Sequence, residues 1–251
     1  MSKNNYQKQE KEFKEITKDV DLLSVKDVMS KIIPEKMKLL AKNDNQKKLM
    51  NSIRQNEITI VKGPPGCGKT FVSVGFSLGL LRKKENRFKK IYLVKSVTTL
   101  KGEEVGFLKG DLKEKIEPVM WSFTINMEKL IKVSSINKLY ESDIIRPFPL
   151  AYMRGASFDD CIIIADEMQN VSLDNSRTLL TRIGSNCKLI LLGDTKQIDI
   201  KNKKISSLEK LLEMFKDTKG IGVINMNEGD TENIRNPLIT VIEKTYDEYG
   251  E

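Results

Sequence analysis

The run Gly63-Pro64-Pro65-Gly66-Cys67-Gly68-Lys69-Thr70 stands between a β-branched stretch, Ile58-Thr59-Ile60-Val61-Lys62, and a helix-like stretch that begins at Phe71. Its spacing, G-x-x-x-x-G-K-T between a strand and a helix, is that of a loop that cradles phosphates. Glycines let successive backbone N–H groups curl around an anion. The following helix aims its positive end at the same point. Residues Gly63 to Phe71 would form the cradle, Lys69 would bring a mobile charge to β- and γ-phosphates, and Thr70 would offer a hydroxyl to Mg²⁺.

About a hundred residues on, the apolar run Cys161-Ile162-Ile163-Ile164-Ala165 delivers Asp166-Glu167. Continuous apolarity is how a strand buried on both faces of a parallel sheet reads, and ligands of such sheets bind at the strands' carboxyl ends. Asp166 is expected to hold Mg²⁺ together with Thr70. Glu167 is expected to orient or deprotonate an attacking water. The chain has no histidine, so base chemistry falls to carboxylates. Gln169 follows in the pattern Asp-Glu-Met-Gln, and Gly193-Asp194-Thr195-Lys196-Gln197 ends another strand. If that strand lies between the first strand and the Asp166 strand, Gln197 reaches toward the γ-phosphate and senses its presence.

The elements that must position these groups can be read around them. Residues 1–20 read as a polar arm, and residues 21–56 as helical, with Asn43-Asp44 capping a helix from 45 to 56. A helix is expected near 70–83, then a basic connector from Arg82 to Lys90, then a strand over 91–94. A glycine-punctuated loop at 101–110 leads to a helix running toward Trp121, and 122–160 reads as helical and irregular. Strands are expected at 161–165, 188–192 and 221–224, with helices near 172–183, 205–216 and 237–249. Strands alternating with helices mean a wound α/β sheet. The division is a charged arm over 1–44 with a helical segment, then a domain over 45–251 with an insertion at about 101–160.

The composition sets limits. The net charge is +8 and the pI about 9.2, which suits an anionic partner. Lys83, Lys84, Arg87, Lys89 and Lys90 are candidate phosphate contacts, though a solvated connector is the favoured reading of the run. Trp121 and Phe123 fit a core as well as they fit base stacking. Three scattered cysteines lack metal-ligand spacing and suit a reducing cytoplasm; Cys161 and Cys187 read as small buried hydrophobes. No apolar run reaches membrane-spanning length, so no membrane partner is expected.

Asp-Glu-x-Gln with Gly-Asp-x-x-Gln resembles the first motor core of superfamily 1 helicases. A longer series is similar to the PhoH-like (phosphate-starvation-inducible) ATPases. It runs through Gly106-Phe107-Leu108-Lys109-Gly110-Asp111, Pro149-Leu150-Ala151-Tyr152-Met153-Arg154-Gly155, Ile164-Ala165-Asp166-Glu167-Met168-Gln169-Asn170, Leu180-Thr181-Arg182-Ile183-Gly184 and Arg235-Asn236-Pro237-Leu238, over residues 45–249. The chain departs from that pattern at Lys95-Ser96, Met168, Lys196 and Asn236.

The resemblance implies a single RecA-like P-loop NTPase core, hydrolysis of ATP with Mg²⁺, cytoplasmic location, and action on RNA or single-stranded nucleic acid. Resemblance to helicases implies that Gln46 reads the adenine edge. One phosphate loop without a dedicated arginine of its own points to a homo-oligomer, with a hexamer as the family expectation. A neighbour would then supply Arg235 or Arg182, of which Arg235 is preferred. A nucleotide switch or scaffold, or a small-molecule kinase, are the competing readings.

Overall fold

The structure, a computed structural model, describes residues 22–34, 37, 39–83, 85–96, 112–148, 150–153, 155–200, 206–226 and 236–249. The expected arm over 1–20, the loop at 101–110, Lys84 and Arg235 lie outside the described residues. Strands β1 (Ile58–Lys62), β2 (Lys90–Lys95), β3 (Ile145–Pro147), β4 (Cys161–Asp166), β5 (Lys188–Gly193) and β6 (Ile221–Asn225) form one sheet in the order β3-β2-β4-β5-β1-β6. Every pair is parallel. Helices α1 (Leu22–Ile32) and α2 (Asp44–Gln55) precede β1; parallel neighbours need crossover connections, and those between strands carry α3 (Lys69–Arg82), α4 (Leu112–Glu128), α5 (Val133–Glu141), α6 (Leu173–Leu180) and α7 (Leu208–Met214), while α8 (Pro237–Tyr249) follows β6. This is the wound α/β architecture the sequence predicts.

Side chains of a strand alternate between faces, so a sheet covered on both sides has two cores. In β4, Ile162 and Ile164 pack with Val25, Leu49, Val72 and Phe123 on one face. Cys161, Ile163 and Ala165 pack with Phe158, Leu179 and Leu208 on the other. All three isoleucines are fully buried, each worth about 1.5–3 kcal/mol of transfer free energy. This double burial explains the unbroken apolar run and fixes where it ends, at Asp166. The Sγ atoms of Cys161 and Cys187 lie 3.6 Å apart as free buried thiols.

Several expectations change. The helical span over 21–56 is two helices, because Pro34 follows α1 and the chain turns before Asn43 caps α2 by accepting from the Gln46 N–H at 2.9 Å. Helix α1 lies in the span read as an arm with a helical segment, and it packs Val25 and Met29 into the core. The irregular stretch at 122–160 holds a strand that alternation did not reveal. β3 is three residues long and carries Pro147, which an edge position tolerates. Phe123 is buried, but Trp121 is 65% exposed and belongs to no core. Among the described residues no helix is long and apolar enough to cross a membrane.

Lys90, proposed from sequence as a phosphate contact, is 5% exposed and paired with Asp143 at 3.1 Å. Asp143 also pairs with Arg146 and holds φ at 58°. A buried ammonium requires such a partner. Asp143→Ala is therefore expected to cost about 3 kcal/mol of stability, measured by urea unfolding. A cost below half of that would contradict the assignment.

Candidate functional site

The register pairs Lys62 with Gly193 and Lys95 with Asp166, so the carboxyl ends of β1, β5, β4 and β2 share one edge. The phosphate loop leaves β1 at that edge. Gly66 and Gly68 have φ of 77° and 90°, the left-handed region that glycine enters without strain. A Cβ on Gly68 would also stand 2.4 Å from Gln46 Nε2. The loop enters α3 with no side-chain cap at Gly68. The first N–H groups of a helix have no intrahelical acceptor, so here they are left to an external one. That arrangement fits a bound phosphate.

Lys69 Nζ donates to the carbonyls of Gly63 and Pro64 at 2.6 and 3.0 Å. Its charge already lies over the loop and needs only side-chain rotation to meet a phosphate. Thr70 Oγ1 donates to Asp166 Oδ2 at 3.0 Å across 96 positions of sequence. A hydroxyl and a carboxylate side by side are the hard oxygen donors that Mg²⁺ prefers. Both donors come from elements the fold holds rigidly, the first turn of α3 and the last residue of β4.

Glu167 follows in the left-handed region, with φ of 60°. For a residue with a Cβ that conformation is strained, and such strain concentrates at functional sites. The turn redirects the chain out of β4 and leaves the Glu167 carboxylate beside Asp166. Glu167 Oε2 accepts from Gln169 Nε2 at 2.7 Å. Burial first, and then the Asp166 charge, push the Glu167 carboxyl above its usual value, which suits a proton acceptor.

A family model described as "PhoH: PhoH-like protein" matches residues 38–247. This chain belongs to the PhoH-like family. A "PhoH-like protein" of Bacillus subtilis (strain 168) is 35% identical over 206 residues, covering 82% of this chain and 63% of that protein. One from Synechocystis is 31% identical over 207 residues, covering 82% and 62%. "Protein PhoH" of Escherichia coli (strain K12) is 29% identical over 194 residues, covering 76% and 54%. The chain thus spans less than two thirds of the length of these curated relatives. A solved chain of "The Phi-28 gp11 DNA packaging Motor" aligns with 80% of this chain and 64% of its own length, at 15% identity and a TM-score of 0.38.

Within this PhoH-like core, Gly63 to Phe71, Lys69, Thr70, Asp166 and Glu167 converge on one edge. Strand β5 lies between β4 and β1, the condition set for Gln197. The Gln197 side chain is exposed just beyond the end of β5, and its N–H donates to Asp194 O at 3.2 Å. Gln46 is 2% exposed rather than displayed on a helix surface. Its Nε2 donates to Cys67 O at 3.1 Å and its Oε1 accepts from the Lys42 N–H at 2.9 Å. It props the phosphate loop from behind. Arg182 lies after α6 at the opposite edge of the sheet, where its carbonyl accepts from the Phe158 N–H at 3.0 Å. Six residues of β4 separate the two edges by about 20 Å.

Sequence reasoning quoted Gln169 only as part of a pattern. It is fully buried, donates to Glu167, and accepts from the Asp194 N–H at 3.0 Å. One carboxamide therefore ties the end of β4 to the end of β5. A Cβ on Gly193 would fall 2.6 Å from Gln169 Oε1, which is why a glycine closes β5. A buried amide with both ends committed carries no periodicity signal, so only three-dimensional contact reveals it. Gln169→Leu removes a hydrogen bond to a charged group, worth about 1.5–3 kcal/mol. If Glu167 acts as proposed below, kcat should fall roughly ten- to a hundredfold with KM for ATP little changed. Unchanged kcat in a folded variant would remove Gln169 from this role.

Proposed function

We propose that this protein is a Mg²⁺-dependent ATPase that works as a homo-oligomer on RNA or another single-stranded nucleic acid. The observation that carries the reading is the set Lys69, Thr70, Asp166 and Glu167 on one sheet edge, with Glu167 held by a buried glutamine. ATP rests on Gly63, Pro64, Pro65, Gly66, Cys67, Gly68, Lys69, Thr70 and Phe71. Thr70 and Asp166 would hold Mg²⁺, which neutralises charge on the β- and γ-phosphates. Glu167 takes the proton of a water attacking in line with the γ-phosphate, and Gln197 reports whether that phosphate is present. Gln46 supports the loop and remains the family-based candidate for the adenine edge.

Charge developing on the transferred phosphoryl calls for a further cation. Arg235 is the preferred donor from a neighbouring copy, with Arg182 the alternative. The position of Arg182 on the far edge supports action in trans over action on its own nucleotide. Association is supported by α8, where Leu238, Val241, Ile242, Tyr246 and Tyr249 are exposed at helical spacing along one stripe. The net charge of +8 supports an anionic polymer as partner.

The test is phosphate release with and without single-stranded RNA and DNA, on wild type, Arg235→Ala, and Arg235→Ala mixed with Glu167→Gln. The proposal expects stimulation by one polymer, loss in Arg235→Ala and partial recovery in the mixture. Full, polymer-indifferent activity in a dilute monomer would contradict both the partner and the assembly.

A further inference from the structure

On the amino edge of the sheet, away from the phosphate loop, Gly155, Arg177, Thr178, Thr181 and Arg182 line a cavity of about 230 Å³. We propose that this cavity is a receptor for a phosphate group, supplied by the backbone of the bound single-stranded nucleic acid. The inference rests on the polymer-binding part of the proposed function and assigns it a place.

Arginines at the end of a helix ordinarily cap its carbonyls, but here those carbonyls already have donors. Arg177 O accepts from the Thr181 N–H at 3.0 Å and from Thr181 Oγ1 at 2.9 Å. Thr178 O also accepts from Thr181 Oγ1, and Leu179 O accepts from the Arg182 N–H. Thr178 Oγ1 donates back to Asp174 O at 3.1 Å. Among the described residues neither guanidinium has an ion-pair partner, and Arg182 Nε is buried without an acceptor. Two acids on this edge, Asp159 and Asp160, are engaged elsewhere. Asp159 Oδ1 accepts from the Ser185 N–H at 2.6 Å, and Asp160 pairs with Lys89 and accepts from Asn186 Nδ2.

A buried donor without an acceptor is unfavourable until an outside oxygen reaches it. Exposed Arg177 and half-buried Arg182 both line this one cavity, and planar guanidiniums match the oxygens of a phosphate. The cavity is open at Gly155, where φ is 85° and a Cβ would have nothing within 4 Å.

The neighbourhood favours a polymer over a lone anion. Lys83 and Arg87 are exposed on the connector that enters β2 at the same edge. That connector is tied to the turn before β5 by Asn186 Nδ2 donating to Arg87 O at 2.9 Å. Cations spread along an edge match phosphates repeated along a strand.

The test uses the full chain with Arg177→Gln and Thr178→Glu, both checked by thermal melting. The readout is anisotropy of a short fluorescein-labelled oligouridylate across a salt series, with ATPase measured in the absence of polymer. Each variant is expected to bind about tenfold more weakly or worse, with basal ATPase unchanged. The salt slope of Arg177→Gln should fall by about 1. Wild-type binding alongside equal binding by Arg177→Gln overturns the proposal and leaves the ATPase reading intact. If wild type binds no polymer, ³¹P line broadening of inorganic phosphate decides. Broadening lost in Arg177→Gln keeps the receptor with free phosphate as its ligand, and no broadening in wild type overturns it.

Discussion

Lys69→Ala is expected to raise Kd for ATP at least a hundredfold while leaving the melting temperature within a few degrees. The ammonium carries no buried structural duty, since it is half-buried and rests on two loop carbonyls that water can serve equally well. Its withdrawal from ATP removes two or more charge-assisted hydrogen bonds at about 1.5–3 kcal/mol each. At about 1.4 kcal/mol per factor of ten, two such bonds exceed a hundredfold. Calorimetric titration with ATP measures the change. A Kd within threefold of wild type would show that the loop is not the phosphate site.

Glu167→Gln is expected to lower kcat by 10²–10⁴, roughly the contribution of a positioned general base, with ATP binding retained. The amide keeps the shape of the carboxylate and can still accept from Gln169. What it lacks is the capacity to take a proton. In wild type the base must be ionised, and the Glu167 carboxyl is raised by burial and then by Asp166.

The same shift makes a stability prediction. The folded state holds this proton more tightly than the unfolded chain does, so stability falls as pH rises from the usual value of 4.5 through the raised one. Above that window the penalty is complete, and Glu167→Gln removes it. The variant should melt higher than wild type at pH 8, and the difference should shrink toward pH 4. A variant that melts lower at pH 8 would contradict the environment assigned to Glu167.

Some of this site was legible in the chain because local pattern and tertiary role coincide. The phosphate loop is short and contiguous, and Gly66 and Gly68 sit where the backbone turns left-handed. Strand β4 announces itself because burial on both faces leaves no polar residue until Asp166. The place of β5 between β4 and β1 stood in the sequence only as a condition on Gln197, and the sheet order meets it. Other features depend on contacts between distant positions. Gln169 looks like any polar residue after a strand, yet it joins Glu167 to Asp194. Lys90 reads as one of a basic run, yet Asp143, 53 positions away, draws it inside. Gln46 is expected by resemblance at the adenine edge, and its burial against Cys67 O shows only in three dimensions. Trp121 and Phe123 are two positions apart in α4, and nothing local told which would face water.

The central claim is that the loop at Gly63 to Thr70 and the acids Asp166 and Glu167 form one ATP-hydrolysing centre. Its most direct test is steady-state phosphate release from ATP by the purified chain, with Mg²⁺ and with chelator, in the presence of single-stranded RNA, for wild type and Glu167→Gln. The account predicts turnover that requires Mg²⁺ and falls at least a hundredfold in Glu167→Gln, while the variant still binds ATP. Equal release from the two proteins, or none from wild type under any of these conditions, would contradict it.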